Sequence, residues 1–380
     1  MIQDSVEFDY SNLRATTGLG YVNDTKARGI FGHSALAVTR EGLPLGTLHL
    51  EFLARKDEDY GSRDHRKEKE IIDKESYRWV RTLLLAEAQL PVGQHALFTQ
   101  DKEADIFALF AAPRRSTTHL LVRANHPRCV EVLPAHDGDQ AERGTLFDVA
   151  CAAPVVGRMD VTIPRGRDRV ERDAVLIVQC AAVRLMPPSG KGGAGMEPVL
   201  AWVIRACELH PPDGEEAVEW TLVTTLPITD GPAACQMVTY YTRRWRIERL
   251  HYTIKSGACN AKQLHMDDAN SIMLALALYY VAAWRLLYMD YFARVQPNAP
   301  PNLILSPIEI NVLEMVENKR IRTVSIAVEA MAKLGGHEPY KDGPPPGIKV
   351  MVAGYRRLED MAMILKLARR HRRWRRAKKI

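Results

Sequence analysis

Between residues 28 and 124, short apolar runs alternate with amphipathic stretches, and this alternation limits the folds open to the chain more than any other feature. RGIFGHSALAVT (28–39) and LGTLHLEFLA (45–54) flank a turn at Gly42 and Pro44 and read as an antiparallel hairpin. The segment 60–74 is mostly charged and reads as a solvated loop. KESYRWVRTLLLAEAQL (74–90) then carries apolar residues at helical spacing. HALFTQ (95–100) and HLLVRA (119–124) read as buried strands around a short helix in EADIFALFAA. The order β, β, α, β, α, β predicts an α/β layer.

From 127 to 226 the character changes. Pro and Gly become frequent, and DVTIPR, AVLIVQCAAVRL, PVLAWVIRACEL and VEWTLVTTL alternate like strands, with PPSGKGGAGMEP (187–198) as a turn. That glycine-rich loop lacks the spacing and the strand-loop-helix setting of a phosphate cradle. From 231 onward the pattern is mostly helical, broken near 296–302 and 334–347. The longest apolar run, Ile272 to Trp284, is short of the roughly 20 residues a spanning helix needs, so no membrane segment is expected. The six cysteines form no CxxC clip and fit a reduced cytoplasmic setting. Residues 366–380 hold nine Lys or Arg and no acid, so the formal charge of +6 belongs to this tail. A basic tail fits nonspecific phosphate binding, or a solvated frayed end.

YYTRRWRIERLHYTIKSGA (240–258) carries the most chemistry. On a continuous helix at about 100° per residue, Tyr241, Arg244, Glu248 and Lys255 share one narrow face, with His251 at its border. A carboxylate flanked by Arg, Lys and a phenol suits a site that holds a metal ion and an anionic substrate together. An exposed helix stabilised by Arg and Glu three and four apart has the same spacing. His251 reads equally as a satisfied helix histidine.

The pattern Tyr-x2-Arg-x3-Glu-x6-Lys, with RWRIE inside it, resembles the signature of the insertion-sequence-four family of DDE transposases. Further segments resemble the family in the same order: IQDSVEFDYSN around Asp4, TQDKEADI around Asp101, LLVRANHPR with Arg123 and Arg128, and VEWTLVTT with Trp220. The resemblance implies a ribonuclease-H-like catalytic core interrupted by a β-rich insertion and followed by a helical C-terminal domain. The expected divisions are 1–126 for the first part of the core, 127–226 for the insertion, 227–295 for the rest of the core, 296–365 for a dimerisation domain and 366–380 for the basic tail.

The same resemblance implies Asp4, Asp101 and Glu248 as catalytic ligands of two Mg²⁺ ions, with Mn²⁺ as a substitute. Glu103 and Asp105 stand beside Asp101, and Asp9 near Asp4, so an assignment shifted by a few residues stays open. Tyr241, Arg244, Lys255, Arg123, Arg128 and His251 are implied as DNA contacts. Trp220 is implied as a platform for a base flipped from the transposon end; a strand tryptophan in a core reads alike. The partners expected are transposon-end and target DNA, with a homodimer in the DNA complex, a bacterial cytoplasmic location and no membrane. The family's end-reading domain precedes the first catalytic Asp, which here is residue 4, so the domain is expected to be missing and the first strand to be cut short. A noncatalytic dimerising inhibitor and a general ribonuclease-H-like nuclease are the competing readings.

Overall fold

The computed structural model describes the chain except for residues 23–26, 56–69, 134–141, 164–170, 190–192, 258, 339–345 and 378–380, and the side chains of 256, 257 and 372–377. Its first strand, β1 (Ile2–Asp9), is eight residues long and pairs antiparallel with β3 (Arg28–Val38) from Ile2 opposite Leu36 to Asp9 opposite Gly29. Beyond β3 lie the short β2 (Gly20–Tyr21) and β4 (Pro44–Leu53), the latter completing the expected hairpin. On the other side of β1, β5 (Ala96–Gln100) and β6 (Thr118–Arg123) run parallel to it.

Two helices follow the strands where the apolar spacing placed them, α1 (Tyr77–Ala88) and α2 (Phe107–Ala111). The second half of the sheet is built from β7 (Cys129–Val132), β8 (Arg143–Thr145), α3 (Leu146–Ala152), β9 (Val155–Ile163), β10 (Arg172–Leu185), β11 (Val199–Glu208) and β12 (Glu219–Thr224). These strands do not form a layer of their own. β12 pairs antiparallel with β6, Val223 opposite Val122, so one mixed sheet of twelve strands runs through both halves. The glycine-rich loop joins β10 to β11, and its residues 190–192 lie outside the described ones.

The sheet is covered on both faces, which explains its apolar strands. Alternation along β1 sends Ile2, Val6 and Phe8 toward one face, where they pack with Ile247, Leu250, Ile272 and Leu276. Asp4 occupies the remaining place in that apolar row. Ala35, Trp79, Leu83, Phe98 and Phe110 fill the opposite face. Under β9 to β12, α4 (Gly231–Thr242) contributes Ala234, Met237, Val238 and Tyr241; the Asp230 side chain caps its first turn by accepting the Ala233 N–H.

The segment 240–258 is not one helix. After α4, tight i to i+3 bonds from Arg243 and Arg244 to Tyr240 and Tyr241 turn the chain into α5 (Trp245–Tyr252), and Thr253–Gly257 is a π-helical turn. α6 (Ala269–Val295) is long and apolar enough to cross a membrane by length and composition, longer than its apolar run indicated. Its Ile272, Leu276, Tyr280, Ala283 and Leu287 are nevertheless buried in the core against the sheet. The C-terminal layer is α7 (Pro307–Glu317), α8 (Val324–Leu334) and α9 (Ile348–Ala377). A Cβ on Gly354 would lie 1.8 Å from the Met331 carbonyl oxygen, so glycine is what lets α9 approach α8. The basic segment continues α9 as helix through Ala377.

Candidate active site

β1 and β5 are adjacent and parallel, so Asp4 on β1 and Asp101, the residue directly after β5, come to the same region of the sheet. Asp101 caps the 3-10 turn Lys102–Ala104, its Oδ1 accepting the Glu103 N–H at 2.9 Å. α5 lies over β1 and brings Arg244 and Glu248 to the same place. Arg244 bridges the carboxylates: Nη2 donates to Glu248 Oε1 at 2.5 Å and Nη1 reaches Asp4 Oδ2 at 3.4 Å. Three acids remote in sequence thus gather around one guanidinium.

The electrostatics carry the mark of that gathering. Asp4 has its pKa pushed up to about 7, first by burial in the apolar row, then by Asp101 and Glu248, against the pull of Arg244 and the Ser5 N–H. Burial alone would lower the pKa of Arg244, but Tyr241, Glu248, Asp4 and Asp101 around it raise it. Among the described residues no three His, Cys, Asp or Glu side chains form a ready metal cage. The donor set is nonetheless all oxygen, as a hard divalent cation requires, and its mutual repulsion is what such a cation would relieve.

Lys255 reaches this region from the π-helical turn. Burial lowers its pKa, while Glu7 and Asp4 raise it. Tyr241, in the last turn of α4, is buried beside Arg244, whose guanidinium carbon is 5.9 Å from its ring centre. Its pKa is raised by burial. Arg123 ends β6, donates to the Glu219 carbonyl at 3.4 Å and acts electrostatically on Tyr241. The broken helix therefore still delivers Arg244 and Glu248 together, by a route that a uniform helical wheel misses.

Three expected contacts stand elsewhere. Arg128 is buried in an ion pair with Asp105, whose Oδ2 also accepts the Asn125 and His126 N–H groups at 2.7 and 2.9 Å. It braces the turn that follows β6. His251 lies inside the core with its Nε2 unpartnered and its ring centre 6.3 Å from that of Tyr280. Burial, with Lys255 and Arg244 nearby, lowers its pKa to about 3, so it is a neutral core imidazole behind the charged face. Trp220 is 8% exposed, its ring edge to face with Tyr241 and Trp245 at 5.6 and 6.1 Å. In this packing no base can stack on it. Of the alternative acids, Asp9 is bonded to Ser11 and Glu103 to Arg78.

Arg78 escaped the sequence reading. From α1 it donates to Ser5 Oγ at 3.2 Å and Glu103 Oε2 at 3.0 Å, tying together the neighbour of Asp4 and the residue whose N–H Asp101 accepts. Nothing in a charged helix face distinguishes this arginine from a solvated one. Residues 39–284, well over half of the chain and inclusive of Asp101 and Glu248, match the family described as the transposase DDE domain, and the chain belongs to that family of DNA-acting transposases.

Proposed function

We propose that this chain is the catalytic core of a cut-and-paste transposase of the insertion-sequence-four family, similar to the transposase of transposon five, built on a ribonuclease-H-like fold. The strand order β4-β3-β1-β5-β6, with β1, β5 and β6 parallel, supports the fold. The observation that carries the function is the meeting of Asp4, Asp101 and Glu248 around Arg244. Asp4, Asp101 and Glu248 are the residues that would hold two Mg²⁺ ions. When bound, divalent cations supply charge neutralisation and an acidified water for an in-line displacement at phosphorus.

In that displacement the oxygen of water or of a DNA 3′ hydroxyl bonds to phosphorus as the bond to the leaving 3′ oxygen breaks. The nucleophile gives up a proton and the leaving oxygen takes one. The chain's own part is positioning and charge. Arg244, drawn off its two carboxylates, and Lys255 hold phosphate oxygens; Tyr241 and Arg123 line the approach. Hairpin formation and a dimer across paired ends rest on the family resemblance. Trp220 is assigned to packing, because stacking there requires Trp245 or Tyr241 to move away.

The test is strand cleavage of DNA by the purified chain with Mg²⁺. Glu248→Ala is expected to lower the rate on the order of a thousandfold, the scale of losing one preorganised charged group, with the fold intact by circular dichroism. Cleavage that persists in the variant rules this reading out.

A further inference from the structure

α5 has a second charged face. At about 100° per residue, Arg246 projects roughly opposite to Arg244 and Glu248, and Arg249 points to the side, about 100–140° away from them. They open onto a cleft of about 490 Å³ between β9, α4, α5 and α6 that also receives Arg243 and Arg294. Four arginines thus face two lining acids, Asp160 and Asp290. Asp290 is committed to Arg294, at 2.9 Å. Arg243, Arg246 and Arg249 form no ion pair among the described residues.

Uncompensated arginines that share a concave site repel one another, and their guanidinium forks match phosphate oxygens. Arg246 shows the strain: burial lowers its pKa, and Arg243 and Arg294 add to that against the pull of Asp290. Its guanidinium carbon lies 5.5 Å from the Tyr291 ring centre, which holds the group in place without neutralising it. The half-buried indole of Trp245 also lines the cleft.

We propose that this arginine cleft binds the phosphodiester backbone of a duplex segment of DNA distinct from the strand in the active site. The two arginine faces are separated by the width of one helix, about 10 Å. A strand held against Arg244 and Glu248 therefore cannot present the same phosphates to Arg246 and Arg249. The inference rests on DNA as the partner of this family, and not on the assignment of the carboxylates.

The test is fluorescence anisotropy of a labelled duplex of about 30 base pairs, without divalent cation, over a series of salt concentrations. Each phosphate contact contributes about 0.9 to the slope of log affinity against log salt. Arg246→Gln with Arg249→Gln is expected to reduce that slope by about 2 relative to Arg320→Gln with Arg322→Gln, an equal loss of charge outside the cleft. Arg249 is exposed and has no side-chain partner among the described residues, so Arg249→Gln alone keeps the fold and is expected to reduce the slope by about 1.

A drop no larger than in the control pair, or no binding by the unsubstituted chain, overturns the proposal. Cleavage with Mg²⁺ is measured apart from the slope, so loss of cleavage in Glu248→Ala and loss of cleft binding in Arg249→Gln are read separately. Competition by closed circular DNA, which has no ends, identifies the occupant as an internal duplex segment. Competition only by linear DNA identifies it as DNA flanking an end. Either result keeps the phosphate site.

Discussion

Asp105 and Asp4 each lie near the end of a core strand and each faces an arginine, yet their surroundings differ in kind. Asp105 is completely buried and has its lone pairs filled by Arg128 and by two backbone N–H groups. Asp4 sits in an apolar row, holds one N–H from Ser5 at 2.8 Å, shares Arg244 at 3.4 Å, and is repelled by two other acids. The first arrangement is satisfied and serves the fold. The second is left unsatisfied, which costs stability and leaves charge available to a ligand.

The largest expected effect follows from breaking the satisfied pair. Arg128→Ala strands a fully buried carboxylate and is expected to cost about 3–5 kcal/mol of unfolding free energy in denaturant titrations. Its DNA affinity, measured where the variant is folded, is expected to match that of the unsubstituted chain. A variant that keeps its stability and loses DNA binding would restore Arg128 to the DNA surface and remove the contrast.

Asp4→Asn sharpens the contrast from the other side, because here substitution is expected to stabilise. The pKa of Asp4 is raised on folding from 3.8 to about 7, so the stability it contributes is present below pH 3.8 and is lost as pH rises through 7. At pH 8 the Asn variant is expected to exceed the unsubstituted chain by about 2–4 kcal/mol, and at pH 4 by almost nothing. Mg²⁺ is expected to raise the melting temperature of the unsubstituted chain at pH 8, and that of the variant much less. Equal stabilities at pH 8 would mean that Asp4 is not the strained carboxylate it is described as.

These two aspartates also mark the boundary of what the sequence discloses. The strands 28–39, 95–100 and 119–124 were legible because short apolar runs between turn residues have few alternatives. The place of Asp101 at the end of a strand was legible because it follows such a run directly. The role of Arg128 was not, since a basic residue after a strand reads alike whether its partner is a phosphate or a buried Asp 23 residues back in the chain. The pairing of Val122 with Val223 joins residues so far apart that no local pattern announces it. The turn at Arg243–Arg244 carries no Gly or Pro to signal a break in the helix. Trp220 was ambiguous for a plain reason: the same aromatic suits a strand core and a stacked base.

The smallest effect is the most specific, because it sets Asp4 against His251. His251 has its pKa lowered on folding from 6.5 to about 3, so its contribution to stability is present above pH 6.5 and is lost as pH falls toward 3. Between about pH 4 and 6.5 the two groups therefore act in opposite directions, each with a slope near 1.4 kcal/mol per pH unit, and nearly cancel. The unsubstituted chain is expected to show little pH dependence from this pair over that range. Asp4→Asn removes one arm, so its stability relative to the unsubstituted chain is expected to fall as pH drops from 6.5. His251→Phe keeps the ring packed near Tyr280 and removes the other arm, so its stability relative to the unsubstituted chain is expected to fall as pH rises. Buried His33, also held neutral, remains in all three chains and drops out of these differences. Differences that slope the same way in the two variants would mean that burial at this edge of the sheet does not divide into a strained acid and a silenced base.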